Sequence, residues 1–579
     1  MPMRTRRRSK AARAWAFLAT TAVIFAIAAT AAVLWRAHTP PVFRDPEWLG
    51  RQQPVFYRGE QWDLPARGQG PALLLPLEEL QRRLAPDIRY EAQDGTIVLT
   101  TAGKVVRMRT DRLTATVNER PFELRVAPIA VEGNIYIPAA PVAELYRLRI
   151  VESSDTGAVV LFRQGDVLQW GRVGGDDPVP GATRLLRWGP DAKQPAVQAV
   201  AEGEEVLLWG ERAGWYRVQL QNGKTGYMRK SDVVLLRAET VDVAPEDPPY
   251  LPWRPVGGRV VMVWEHVTNR NPDPRSIGDM PALNVVSPTW FHLADGDGTF
   301  ISRADPAYVD WAHSRGLQVW ALASNSFDPD LTAAALATYD KRMRIIRQLL
   351  AFAQMYRLQG INLDFENVYL KDGPLFTQFV REFVPLAHEQ GLTVSVDVTV
   401  KGGSETWSQF YDRPALARAA DYLVVMAYDE HWASSPTAGS VSSLGWTEQK
   451  AIRQLLEEDR IPRSKLVLGI PFYTRIWEER LSADGKTELK SRAVGMQTVR
   501  DLIREKNLTP VFRQDAGQNY VEYREADTTY KIWIEDETSL RARLELVKKY
   551  DLAGIAAWRR GFETADVWPM IRDVLEKKP

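Results

Sequence analysis

The chain has 579 residues, with 74 Lys and Arg against 73 Asp and Glu, six His and no Cys. A single core rarely grows beyond about 250–300 residues, so several domains are expected, and 45% hydrophobic with 25% charged residues excludes disorder as the main state. A formal charge of +1 gives no reason to expect nucleic acid as a partner, and the absence of Cys excludes disulfides, a thiolate nucleophile and Cys-built metal sites.

At the N-terminus, Arg4, Arg6, Arg7, Arg8, Lys10 and Arg13 precede an uncharged stretch from Ala14 to Trp35. As a helix that stretch would span about 33 Å, enough for a hydrocarbon core of about 30 Å. The basic flank predicts a cytoplasmic tail over 1–13 and a transmembrane anchor over 14–35, with the bulk of the chain outside the cell membrane. A cleaved signal peptide is the competing reading, because its charged start and apolar centre look the same; the apolar run here exceeds the usual length of about 7–15 residues. An uncleaved anchor makes the modules between Arg36 and Arg259 a tether that holds the remainder away from the bilayer.

Residues 54–163 carry a weak internal repeat. Leu74-Leu75-Pro76-Leu77-Glu78-Glu79-Leu80, then Ile88-Arg89-Tyr90, Asp94-Gly95 and Ile97-Val98-Leu99, reads as a loop, helix and hairpin. Ile135-Tyr136-Ile137-Pro138, Val142-Ala143-Glu144-Leu145, Leu148-Arg149-Ile150-Val151 and Val159-Val160-Leu161 repeat that order. The arrangement resembles the stalk domain related to the N-terminal domain of copper amine oxidases. The segment has no His, so no metal chemistry is carried over, and a spacer and protein-contact module is expected.

Residues 182–237 read as a small all-β module: Val206-Leu207-Leu208-Trp209, Trp215-Tyr216-Arg217-Val218-Gln219-Leu220 and Gly226-Tyr227-Met228 give short strands, with Asn222-Gly223 at a hairpin turn. The pattern is similar to a bacterial SH3-like barrel. A Pro-rich linker over 238–258 follows.

From Arg259 to about residue 575, short apolar blocks alternate with helical patterns: Val260–Trp264, Leu283–Ser287, Gln318–Ala323, Gly360–Phe365, Leu392–Thr399, Tyr422–Tyr428, Leu466–Phe472 and Gly554–Trp558. Eight such units predict a (β/α)8 TIM barrel, with a small α+β insertion at about 475–540 in the longest gap. A doubly wound α/β sheet is the alternative, but no Gly-x-Gly-x-x-Gly follows a strand.

Catalysis in such a barrel belongs at the C-terminal ends of the strands. In Gln359-Gly360-Ile361-Asn362-Leu363-Asp364-Phe365-Glu366, strand alternation points Asn362, Asp364 and Glu366 into the barrel and Ile361, Leu363 and Phe365 toward the helices. Asp397 on strand five and Tyr428-Asp429-Glu430 after strand six add polar and acidic groups, and no Lys or Arg interrupts the neighbouring blocks. Crowded acids without bases raise at least one pKa, which keeps a carboxylic acid protonated near neutral pH.

These motifs resemble glycoside hydrolase family 18, the chitinase-like barrels, whose fourth strand carries Asp-Gly-x-Asp-x-Asp-x-Glu. Here the last two acids match and the first two are amides, Gln359 and Asn362. Met426-Ala427-Tyr428-Asp429, Trp558, Leu468-Gly469-Ile470-Pro471-Phe472-Tyr473 and Glu563-Thr564-Ala565-Asp566-Val567-Trp568-Pro569 look like the spore-cortex and cell-wall N-acetylglucosaminidase branch of spore-forming bacteria.

The resemblance implies hydrolysis of β-1,4-linked N-acetylglucosamine glycans, peptidoglycan before chitin, with no cofactor or metal. It makes Glu366 the acid/base, Asp364 the group that orients the substrate's own 2-acetamido nucleophile, Tyr428 a donor to that acetamido oxygen, and Trp558 the floor under the sugar. Asn362 in place of an acid leaves Asp364 with one like-charged neighbour fewer, so Asp364 is expected to ionise more readily. Asp429 is expected beside the substrate, and Trp290, Asn325, Glu430 and Tyr473, near strand ends, are expected to line the cleft, with simple packing as the equal alternative. A non-hydrolytic carbohydrate-binding barrel is the alternative function. His-Glu-x-x-His, Gly-x-Ser-x-Gly and phosphate-binding loops do not occur in the sequence.

Overall fold

A computed structural model describes residues 15, 17, 19–30, 41–50, 52–174, 184–244, 250–255, 258–481 and 487–576. The basic tail, both ends of the apolar N-terminal segment, and parts of the Pro-rich linker lie outside the described residues. No helix among the described residues is long and apolar enough to cross a membrane. The chain divides into one unit of Met1–Glu79 with Val131–Pro245 and a second of Leu80–Ala130 with Glu246–Pro579.

The first unit is mostly β. Strand Leu74–Pro76 is followed by helix Leu77–Arg83, and strand Asn134–Pro138 by helix Ala139–Tyr146. The two strands pair antiparallel, with Ile137 opposite Leu75. The second helix leads into the hairpin Leu148–Glu152/Val159–Arg163, whose second strand also pairs in parallel with Val55–Tyr57. Seven further strands form one sheet in the order Ala196–Val200, Arg184–Arg187, Thr225–Arg229, Trp215–Gln219, Glu205–Arg212, Val167–Val173, Val233–Thr240. Gly223, at φ +86°, turns the hairpin where Asn222-Gly223 predicts it. Trp215 is buried.

The second unit is built on the barrel. Its strands β1 (Val260–Glu265), β2 (Val285–Leu293), β3 (Gln318–Ser324), β4 (Gly360–Asp364), β5 (Thr393–Thr399), β6 (Tyr422–Met426), β7 (Leu466–Pro471) and β8 (Gly554–Trp558) are parallel neighbours in sequence order. Pairings of β1 with both β2 and β8 close the ring. Strand alternation creates two cores. Val263, Ile361, Leu363, Phe365, Val396 and Val425 pack outward against the helices, while Met262, Trp264, Trp320, Leu322, Tyr422 and Val424 fill the interior. Between β7 and β8, strands Tyr473–Leu481, Thr487–Gly495, Val511–Arg513, Gln518–Glu525 and Thr528–Ile534 form a five-stranded antiparallel sheet with helix Met496–Glu505.

Leu80–Ala130 departs from the expected spacer. Its five strands form a sheet whose Val98 and Val105 belong to the same core as the barrel helices. Arg342, on barrel helix Tyr339–Met355, donates to Glu382 at 2.8 Å through both Nε and Nη2, and to Glu91 at 2.8 Å. All three side chains are buried. The free oxygen of Glu91 accepts from the Tyr339 amide at 2.9 Å. Desolvating three charges is costly, and this arrangement offsets the cost because nearly every polar atom finds a partner. This part of the stalk is therefore fixed to the barrel and does not act as a free tether.

Candidate active site

Asp364 is the last residue of β4, and Glu366 lies just beyond, where ladder bonds no longer hold the chain. Two side chains replace them. Asn325 accepts from the Glu366 amide at 3.1 Å and donates to its carbonyl at 2.7 Å, and is itself anchored to Thr332 at 2.8 Å. Tyr411 donates to the Phe365 carbonyl at 2.8 Å. Asn325 thus sits behind the acid as a bracket for its backbone and is absent from the cavity wall.

The cavity at the C-terminal end of the barrel has a volume of about 230 Å³. Asp364, Glu366, Asp397, Tyr428, Asp429, Tyr473 and Trp558 line it together, so three strand ends and the insertion bring the acids of the sequence to one place. Trp264 meets Tyr428 edge-on at 6.4 Å and Trp558 at 5.9 Å between centroids, forming an aromatic base. Tyr473 opens the first insertion strand and donates to Asp429 at 2.6 Å. Asp429 has a left-handed backbone, φ +57°, a conformation Asp tolerates better than most residues.

No Lys or Arg lines this cavity, and the acids respond accordingly. Burial, then the charge of Asp429, raises Glu366 from its ordinary 4.5 to about 7. Burial, then Glu366 and Asp397, pushes Asp364 well above the usual carboxylate range. Asp397 is also pushed well up, chiefly by burial, against bonds that favour its ionised form. Asp364 Oδ1 and Asp397 Oδ2 have no hydrogen-bond partner among the described residues. Burial also raises Tyr428, with Asp397 next, so its hydroxyl keeps its proton and can donate.

The expectation that Asp364 ionises more readily is therefore overturned. Asn362 is fully buried beneath the cavity and does not line it. Its Oδ1 accepts from Trp264 Nε1 at 2.9 Å and Ser287 Oγ at 3.2 Å, while its Nδ2 donates to Ser395 Oγ at 3.0 Å and Asp397 Oδ1 at 2.8 Å. All its hydrogen-bonding capacity is used, none of it on Asp364. The like charge expected to be lost from position 362 is supplied by Asp397 on β5.

Two other expected cleft residues lie elsewhere. Trp290 is fully buried in the outer core, its Nε1 donating to Asn271 at 2.7 Å and its ring meeting Tyr308 edge-on. Glu430 accepts from the backbone and hydroxyl of Ser443 at 2.7 and 3.0 Å, which ties a loop together. Conversely, Phe327 and Trp407 line the cavity while 47% and 36% exposed. Phe327 comes from a turn and Trp407 from the short helical segment Glu405–Gln409, neither with a periodic signal. Trp264 ends an apolar block as Trp558 does, and that shared position is a signal that could have found it.

The chain is similar to several known proteins. Residues 323–563 match the model for glycosyl hydrolases family 18, and residues 58–161 the copper amine oxidase N-terminal domain. The uncharacterized glycosylase YvbX of Bacillus subtilis is 27% identical over 50% of this chain and 84% of its own length. The cortical fragment-lytic enzyme of Bacillus subtilis is 26% identical over 44% of this chain and 58% of its own. The crystal structure of the Bacillus megaterium spore cortex-lytic enzyme SleL superposes with a TM-score of 0.48 at 18% identity, covering 65% of this chain and 89% of that one.

Proposed function

We propose, for a chain whose barrel belongs to glycosyl hydrolases family 18 and which is accordingly a glycoside hydrolase, that it cleaves β-1,4-linked N-acetylglucosamine glycan of the peptidoglycan type by a substrate-assisted, retaining route. The observation that carries this reading is the placement of Asp364, Glu366 and Tyr428 around one cavity floored by Trp558. Asp364 and Glu366 leave the same face of one strand, so they are poorly arranged as opposing acid and nucleophile on the two sides of a scissile bond. The acetamido oxygen of the substrate supplies the nucleophile instead. It attacks the anomeric carbon as the glycosidic C–O bond breaks, and Glu366 gives its proton to the leaving oxygen. Asp364 then faces the positively charged oxazolinium ring, and the Tyr428 hydroxyl donates to the acetamido oxygen. The Glu366 carboxylate next takes a proton from water, which attacks the anomeric carbon and reopens the ring. Two inversions return the original configuration.

The preference for wall glycan is supported by the likeness to cortical fragment-lytic enzymes and by the basic, then apolar, N-terminal sequence. We also read Ala14–Trp35 as a membrane anchor and residues 182–237 as an SH3-like wall-contact module. Incubation with purified sacculi and with chitin oligomers, followed by mass spectrometry of released fragments, tests the substrate. Sacculi should yield fragments with N-acetylglucosamine at the reducing end, whereas cleavage of chitin alone reverses the preference.

A further inference from the structure

The two sides of the barrel mouth carry different chemistry. The acids, Asp364, Glu366, Asp397 and Asp429, come from β4 to β6 and the turn after β6. On the opposite side, the ends of β8, β1 and β2, with the short strand Phe300–Ser302 that pairs back on β2, bring together Arg559, His266, His292 and Arg303. The His266 ring lies 5.8 Å from that of Trp558, so this second group begins one side chain away from the sugar floor. Arg303 Nη1 is 3.3 Å from His292 Nε2 and donates to the Val267 carbonyl at 3.2 Å. The Arg559 guanidinium lies 3.9 Å from the centroid of the Phe562 ring.

The acids near this group are largely engaged. Glu265 is buried and paired with Arg560, with Nη2 to Oε1 at 2.9 Å. Glu563 accepts from the Gly561 amide at 2.7 Å and from Trp568 Nε1 at 3.3 Å. Arg303 and Arg559 form no ion pair among the described residues. Burial, then Arg559 and Arg303, lowers His266, and burial, then Arg303, lowers His292, which leaves the two guanidinium groups as the positive charge near neutral pH. A neutral chitin chain has nothing to set against them. A guanidinium matches a carboxylate in geometry as well as in charge.

We infer that Arg303 and Arg559, with His266 beside Trp558, form a subsite for a carboxylate-bearing substituent of the glycan. The inference rests on the wall-glycan reading above and narrows it to a sugar bearing a lactyl ether acid or a peptide extending from it. The test uses the full chain carrying Glu366→Gln, so that the probe is bound and not consumed. Calorimetric titration compares an N-acetylglucosamine-containing disaccharide bearing a lactyl carboxylate with its methyl ester. The acid should bind about tenfold more tightly, with a preference that shrinks as salt rises. Adding Arg303→Gln and Arg559→Gln should bring the ratio to about one, and Lys at both positions should keep most of it. A disaccharide whose lactyl group is amide-linked to a short peptide separates the two sources, since it keeps the preference over its own ester only if the peptide carboxylate occupies the subsite. Equal binding of every acid and its ester, or a ratio that survives the double Gln substitution, overturns the inference. Failure of the active protein to cleave sacculi would instead count against the wall-glycan reading, because the acid-to-ester ratio is measured independently of turnover.

Discussion

Asn362 and Asp397 are joined by a 2.8 Å bond from amide Nδ2 to carboxylate Oδ1, and that bond determines which groups face Asp364. With its amide saturated, Asn362 cannot turn to Asp364, and the nearest like charges are Glu366 and Asp397. Asp397→Asn should therefore lower the Asp364 pKa and move the acid limb of the kcat profile to lower pH by about one unit. An acid limb that stays in place would remove Asp397 from that role. Asn362→Asp replaces a donor by an acceptor facing Asp397 and should cost about 1–3 kcal/mol of stability, read by denaturant unfolding at pH 8.

Glu366 gives two linked expectations. Its protonated form is the proton donor, so kcat/KM should fall as pH rises through about 7. Glu366→Gln should reduce turnover by about 10²–10⁴-fold. The same shift has a stability sign. A carboxyl whose folded pKa is raised from 4.5 to about 7 binds protons more readily folded than unfolded, so stability declines across that window and the full cost is present above pH 7. Gln carries no such cost. The variant should match the parent at pH 4 and be more stable at pH 8 by about 1–3 kcal/mol, and equal stability at both pH values would contradict a burial-driven shift.

Asn325 holds the backbone of Glu366, accepts from the Phe327 amide at 3.2 Å and does not itself line the cavity, so it is a positioning residue. Asn325→Ala removes both bonds to the Glu366 peptide groups, and a displacement of about 1 Å at the acid costs about 10²-fold. The loss should appear in kcat with KM nearly unchanged, and the basic limb should move because the carboxyl gains water. A change confined to thermal stability would reduce Asn325 to a packing role.

Much of this site is legible in the sequence because strand alternation is a strict rule. Ile361, Leu363 and Phe365 face the helices and Asp364 lines the cavity, as the pattern of the fourth block requires. Trp290 escapes the rule through a backbone irregularity. β2 runs on to Leu293, and its register against β3 shifts between Thr289 and Phe291, leaving Trp290 in the outer core. Phe327 sits in a turn and Trp407 on the short helical segment Glu405–Gln409, both too brief for a period to predict direction. The docking of Leu80–Ala130 is invisible for another reason: Glu91 and Arg342 are 251 positions apart, and a charge on an amphipathic helix looks like a solvated face until its partner is known.

That same ion pair predicts a large effect far from the chemistry. Glu91→Ala leaves Arg342 buried with Glu382 alone and should destabilise the second unit by about 3–5 kcal/mol. Equilibrium denaturation followed by tryptophan fluorescence measures the change. A loss below about 1 kcal/mol would mean that water reaches Arg342 when Glu91 is removed, and the sheet over the barrel helices would then be a loosely held cover.

The N-terminal segment yields the last prediction. Trp15, Phe17, Ile24, Phe25 and Ile27 are 75%, 80%, 60%, 75% and 63% exposed on a helix of the described residues. Exposed apolar side chains in such number favour an apolar environment, and if that environment is a bilayer the preceding basic residues favour its cytoplasmic side. Anchored there, the enzyme would act on wall glycan within reach of the membrane. Protease added to wall-stripped cells should digest the barrel and leave a membrane-bound N-terminal fragment. A cleaved signal peptide makes the opposite prediction: mature protein in the soluble fraction with a new N-terminus near Thr30 or Ala37. Sequencing the N-terminus of the recovered protein decides between them, and a soluble mature form would eliminate the anchor.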